Sequence, residues 1–144
     1  MQKISNTFFY QLEKTVKTYR QYFQAQMKTH GFDITLDQWL ILNTILDYPN
    51  ASQTEIAEKV FKDKASITRI IELLIKNEYL TREGHPTHGR MFQFQLTPKG
   101  LKTIEQLNQL VPKFRENALA GTASENIEVS QSLMQIIVEN CKRE

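Results

Sequence analysis

The sequence predicts a mainly α fold with one small β-hairpin, in the order α-α-α-α-β-β-α-α. Three observations lead there. Apolar residues recur every three or four positions over most of the 144 residues, the spacing that lines one face of an α-helix. Only around residues 80–96 does the period fall to two, on either side of the turn-rich "GHPTHG". Capping residues stand just before several of the periodic runs.

The first helix carries Phe8, Leu12, Val16, Tyr19, Phe23 and Met27 at spacings of four, four, three, four and four, and Gly31 stops it. "TLDQWLILNTIL" begins a second helix, with Thr35 as N-cap and Gln38 placed for a capping box. "DYPNAS" is a turn. A third helix starts at "SQTEIAEKVF", where Ser52 and Glu55 repeat the capping-box pattern and Ile56, Ala57 and Val60 face inward. A break is expected at about Lys62–Asp63, with Asp63 the N-cap of a fourth helix whose stripe is Ile67, Ile70, Ile71 and Leu74.

"YLTRE" and "RMFQFQL" then read as the strands of a hairpin, since Phe92, Phe94 and Leu96 alternate with Gln93 and Gln95. Thr97-Pro98 opens a fifth helix as N-cap and first residue. Its inward positions are Leu101, Ile104, Leu107, Leu110 or Val111, and Phe114. Pro112 lies deep in that run and predicts a kink. Gly121 ends the helix. Ser124 is the expected cap of a sixth, with Ile127, Leu133 or Met134, Ile137, Val138 and Cys141 on its apolar side.

Two short helices joined by a tight turn and followed by a hairpin make a winged helix-turn-helix. The hairpin is too small to stand alone and must lean on the fourth helix. Residues 1–34 and 101–144 then flank a lobe at 35–100. The apolar stripes on the flanking helices exceed what one such lobe can cover, which predicts a homodimer.

Composition bounds the function. Hydrophobic residues are 40% and charged residues 24% of the chain, ordinary for a globular protein. No apolar run approaches the ~18 residues of a membrane span, and "MQKISNTFFYQLEK" lacks the apolar core of a secretory signal. A single cysteine cannot form an internal disulfide, which fits a cytoplasmic protein. A net charge of +2 does not by itself demand a nucleic-acid partner, so any basic surface must come from local placement.

The stretch "KDKASITRIIELLIKNEYLTR" supplies that placement. Opposite its apolar stripe, the fourth helix presents Ala65, Ser66, Thr68 and Arg69, with Lys62 and Lys64 at its start. A recognition helix enters the major groove by its N-terminal residues, so that end must be slim. Ser and Thr hydroxyls bond phosphates or base edges, and the arginine fork matches guanine O6 and N7. Open N–H groups at the helix start favour a phosphate. The plain alternative for such a face is solvated surface, as for many exposed Arg and Thr. The hairpin argues against it, because Arg82 at its base and Arg90 at its tip add cations where a wing meets the minor groove.

From "LDQWLIL" through "SQTEIAEKVFKDKASITRIIELLIKNEYLTR" to "LTPKG", residues 35 to 100 resemble the DNA-binding lobe of the MarR family of bacterial transcriptional regulators. The resemblance implies an obligate dimer in which the first, fifth and sixth helices interlock. It also implies a ligand pocket between those helices and the DNA lobe. Two positions depart from the pattern. His88 stands where the family has an Asp two residues before the wing arginine, which here is Arg90. Glu78 stands where the family often has the glycine that ends the recognition helix, and Asn77 is expected to take the left-handed conformation instead.

The predicted DNA-contacting set is therefore Lys62, Lys64, Ala65, Ser66, Thr68, Arg69, Arg82, His88 and Arg90. Tyr19, Phe23 and Trp39 are candidates to line a pocket, although aromatic residues at helical spacing more often pack a core. His85 and His88 form an H-x-x-H pair, but His30 and Cys141, the remaining ligands, are far along the chain, so neither metal nor cofactor is expected. Cys141 reads as a small buried residue; peroxide-sensing relatives carry their cysteine in the first helix. No Gly-rich phosphate loop, G-x-S-x-G or paired carboxylates suggest an enzyme. The expected partners are thus double-stranded DNA with a pseudo-palindromic operator, a second copy of the chain and a small-molecule effector that controls a regulator expected to be a repressor. The rival reading is a winged helix that binds protein and not DNA.

Overall fold

The structure, a computed structural model, describes residues 1–84 and 92–143. After a short 3-10 turn at Ile4–Asn6 come α1 (Phe8–Thr29), α2 (Leu36–Asp47), α3 (Gln53–Lys59) and α4 (Lys64–Lys76). Strands β1 (Leu80–Gly84) and β2 (Phe92–Leu96) follow, then α5 (Pro98–Ala118) and α6 (Ser124–Lys142). The element order matches the sequence reading. The strands pair antiparallel, with Leu80 opposite Leu96 and Arg82 opposite Phe94.

The predicted caps form by local chemistry. Thr35 and Gln38 make a reciprocal capping box: the Gln38 N–H donates to Thr35 Oγ1 at 3.1 Å and the Thr35 N–H to Gln38 Oε1 at 2.9 Å. Ser52 Oγ accepts the Glu55 N–H at 3.1 Å. Asp63 Oδ1 accepts the Ser66 N–H at 2.7 Å. The sixth helix differs from expectation. Its N-cap is Ala123, with no side-chain hydrogen bond, and Ser124 is already the first helical residue.

Three helices end the same way, with a residue in the left-handed region and two backbone bonds reaching back. Gly31 (φ +82) does this after α1, where the Phe32 N–H reaches the Met27 carbonyl at 3.0 Å. Phe61 (φ +62) does it after α3, so the break falls one residue before the expected Lys62. After α4 the residue is Glu78 (φ +65), not Asn77, whose φ is −89°. The reason lies in the bonding. The Tyr79 N–H reaches the Leu74 carbonyl at 2.9 Å and the Glu78 N–H reaches Ile75 at 3.0 Å, which places the reversal at Glu78 whatever its side chain. A bulky residue held there stores strain of about 1–3 kcal/mol.

The chain divides into two compact units, Met1–Pro112 and Lys113–Glu144. α5 is nevertheless one helix, continuous through Pro112. In the first unit α2 packs on α1, α3, α4 and β2, and α4 packs on α3 and β1. Met27, Ile41, Leu42, Ile67, Ile71 and Leu74 are fully buried there. The stripe of α1 splits: Phe23 and Met27 are buried, whereas Phe8 and Val16 are about half exposed. In the second unit, α6 has no buried residue. Leu133, Met134, Ile136 and Val138 all lie exposed, and so does Cys141, which was expected to be buried. Ile127 and Ile137 of that stripe are half-buried.

Candidate nucleic-acid interface

The site is built on the outer face of α4. Ile67, Ile71 and Leu74 fix its inner face in the core, so the opposite face must point to solvent. There Lys64, Ala65, Thr68 and Arg69 are exposed and Ser66 is half-buried. Arg69 is lightly restrained, its Nη2 lying 3.4 Å from Ser66 Oγ. Thr68 is held more firmly. Its hydroxyl donates to the Lys64 carbonyl at 2.9 Å and accepts from Gln53 Nε2 at 2.5 Å. Gln53 is the first residue of α3, so this bond fastens one helix of the motif to the other. The sequence reading missed it, because a contact fifteen residues away leaves no periodic signal.

The open N–H groups expected at the start of α4 are partly occupied. Asp63 takes the Ser66 N–H, and its second carboxylate oxygen accepts the Ser66 hydroxyl at 2.9 Å. The Ser66 backbone bond, then its side-chain bond and the nearby Arg69 charge, hold the Asp63 carboxyl below its ordinary value. A negative cap thus sits at the helix end where a phosphate was expected.

Two of the predicted cations are engaged by carboxylates of their own chain. Lys62 Nζ is 3.2 Å from Asp37 Oδ2, and Arg20 Nη2 donates to Asp37 Oδ1 at 2.5 Å. Arg82 pairs with Glu72 of α4 and lies over the Phe94 ring, 5.9 Å from its centroid. The base of the hairpin is therefore bound to the recognition helix by charge as well as by packing. His85, His88 and Arg90 lie outside the described residues.

The segment "LTPKG" clamps the far end of α4. Thr97 Oγ1 caps α5 by accepting the Gly100 N–H at 3.0 Å and donates to the Glu78 carbonyl at 2.6 Å. Lys99 Nζ reaches the Asn77 carbonyl at 2.8 Å. Gly100 is required by space: a Cβ there would stand 2.2 Å from the Tyr79 carbonyl oxygen. These contacts set where β1 leaves the helix, and so where the wing begins.

Tyr19, Phe23 and Trp39 are brought together. Phe23 stacks at 4.9 Å from Trp39 and at 6.0 Å from Tyr19, centroid to centroid. Phe23 and Trp39 are buried, with Tyr19 half-buried at the edge. Trp39 Nε1 donates to Asn108 Oδ1 at 2.8 Å, and Asn108 Nδ2 to Asn43 Oδ1 at 2.9 Å. This ties α2 to α5. An open groove of about 440 Å³ lies between α1 and α2, lined by Arg20, Gln24, Lys28 and Asp37 among others. Among the described residues no three His, Cys, Asp or Glu side chains are grouped as metal ligands. No described helix is long and apolar enough to cross a membrane.

The helix pair, the recognition face and the hairpin base all fall within residues 32–91, the span matched by the MarR family. That lobe is similar to the MarR family. Its helix pair and hairpin form a winged helix-turn-helix. The chain is 20% identical over 132 residues to the HTH-type transcriptional repressor IacR of Pseudomonas putida, covering 92% of this chain and 78% of the relative. Its fold is similar to that of a MarR variant from E. coli complexed with operator DNA, with a TM-score of 0.86 at 17% identity over 94% of this chain and 99% of the other. BpsR of Bordetella bronchiseptica, whose DNA binding is regulated by 6-hydroxynicotinic acid, matches at a TM-score of 0.82 and 17% identity over 100% and 99% of the two chains. At these identities the structural likenesses bear on the fold.

Proposed function

We propose that this protein is a regulator of the MarR family: a dimeric, sequence-specific repressor that binds a pseudo-palindromic operator in double-stranded DNA and is controlled by a small molecule. The observation that carries the reading is the outer face of α4: slim, exposed, hydroxyl-bearing and centred on Arg69, which forms no ion pair with a carboxylate among the described residues. Lys64, Ala65, Ser66 and Thr68 complete the contact face. Arg69 reads a guanine, and Ser66 and Thr68 meet phosphates or thymine methyls. His88 and Arg90 of the wing approach the adjacent minor groove. Lys62 and Arg82 border the same surface from within their ion pairs.

A second copy supports itself on the exposed apolar faces of α1 and α6, and a two-fold dimer presents two recognition helices to half-sites about 34–36 Å apart. An effector fits the same scheme. E. coli MarR has been seen on operator DNA and BpsR responds to 6-hydroxynicotinic acid, and here the Tyr19–Phe23–Trp39 cluster spans α1 and α2, where an aromatic ligand would be felt by both. The protein acts in the cytoplasm, where its operator is.

The test is Arg69→Ala on duplexes selected from random sequence by the wild-type protein. Binding should weaken by about 1–3 kcal/mol, with relaxed preference at one base pair per half-site. Uniform weakening on all sequences would make Arg69 a phosphate contact. A wild-type affinity that does not fall with rising salt would favour the protein-binding reading, because counterion release makes DNA binding steeply salt-dependent.

A further inference from the structure

Asp37 is the second residue of α2, and its one carboxylate serves two cations from different elements. Oδ1 accepts from Arg20 of α1 at 2.5 Å, and Oδ2 is 3.2 Å from Lys62 in the turn that leads into α4. The three side chains are only about a quarter to two-fifths exposed, so screening by solvent is partial. The backbone of Lys62 is also fixed, since its N–H reaches the Ala57 carbonyl at 3.0 Å. Lys62 directly precedes Asp63, the N-cap of the recognition helix. The side chain just before the N-cap of α4 is thus anchored to the start of α2, and through the shared carboxylate to α1.

We propose that Asp37 is a positioning residue for DNA binding: it stands in for a phosphate, keeps the Lys62 ammonium off the DNA backbone, and ties the start of the recognition helix to α1. This rests on the DNA-binding reading above. A carboxylate offers a lysine the same anionic oxygens that a phosphate does. A lysine already held by one adds little to sequence-independent attraction. What remains at the tip of α4 is weighted toward base-reading groups, Arg69 with Ser66 and Thr68. The same carboxylate makes the two cations interdependent. Any movement of α1 that withdraws Arg20 changes the hold on Lys62, and with it the seat of α4.

The full-length protein can be tested by fluorescence anisotropy across a salt series, on a random-sequence duplex and on a duplex selected by the wild-type protein. Lys62→Gln alone should leave the salt slope on random DNA at the wild-type value. Asp37→Asn should steepen that slope by about 0.9, the increment for one phosphate contact. It should also raise affinity for random DNA severalfold at low salt and narrow the selected-to-random ratio. Lys62→Gln added to Asp37→Asn should remove the steepening contributed by Lys62, and Asp37→Glu should keep the wild-type slope. A merely structural Asp37 would weaken binding to both duplexes alike and leave the slope unchanged, which overturns the proposal. A slope that drops by about 0.9 in Lys62→Gln alone overturns it too, because Lys62 would then already touch phosphate. That single variant can overturn the proposal even if Asp37→Asn unfolds. Loss of salt-dependent binding in the wild type itself would instead remove the DNA-binding reading underneath.

Discussion

Helices α4 and α6 are both amphipathic in sequence, yet they are held in opposite ways. α4 begins on an Asp63 cap, buries Ile67, Ile71 and Leu74, and ends in a backbone reversal clamped by Thr97 and Lys99. α6 begins on an uncapped Ala123 and buries nothing. The first is fully specified by its own chain, while the second leaves most of its apolar face exposed. An apolar stripe therefore says that a face will be buried, but not by which chain. A helix that stores its specificity in the fold can expose a polar face for reading DNA. A helix that leaves its apolar face open is suited to joining two copies.

The sharpest way to break this contrast is Met134→Glu on α6. If that face joins two copies, each interface gains a desolvated, unpaired carboxylate. Dimer stability should fall by about 3–5 kcal/mol, roughly a thousandfold in association. Sedimentation equilibrium measures it, and an unchanged dimer would mean that α6 is not the joining surface. Gly100→Ala should strike the other side of the comparison. Its Cβ would collide with the Tyr79 carbonyl at 2.2 Å, destabilising the lobe by about 1–3 kcal/mol in chemical denaturation. Wild-type stability in this variant would show that the α4–α5 clamp is slack.

The smallest effect concerns the cap of α4. Because the Asp63 carboxyl is held below its ordinary value when folded, its contribution is present above the unfolded pKa and is lost as pH falls through the folded one. Wild-type stability should therefore lose a component below about pH 4 that Asp63→Asn does not lose. Asparagine remains a good N-cap, so α4 itself should persist at neutral pH. Identical acid profiles for the two proteins would show that the cap is not ionically biased.

The caps were legible because each joins residues only three positions apart: Thr35 with Gln38, Ser52 with Glu55, Asp63 with Ser66, Thr97 with Gly100. The exposed face of α4 was legible for a related reason, since burying one side of a helix dictates the other. Ser124 misled because a serine before an apolar run suits either the cap or the first turn, and side-chain geometry alone chooses between them. Glu78 misled because residue preference pointed to Asn77, whereas the paired backbone bonds fixed which residue had to reverse. The Asp37 pairings, the Gln53–Thr68 bond and the Trp39–Asn108 link were invisible. Their partners are 15 to 69 residues apart, and nothing periodic connects them.

By itself, then, the sequence determined the order of elements, the capped starts of four helices and the face of α4 that carries Arg69. Those follow from steric period and from hydrogen bonds within one turn. Only the tertiary structure decided which cations are already held by carboxylates, why residue 100 has no room for a side chain, and which apolar stripes are covered within one chain. Those depend on what lies opposite a residue in space, and a linear pattern of residue types does not encode that neighbour.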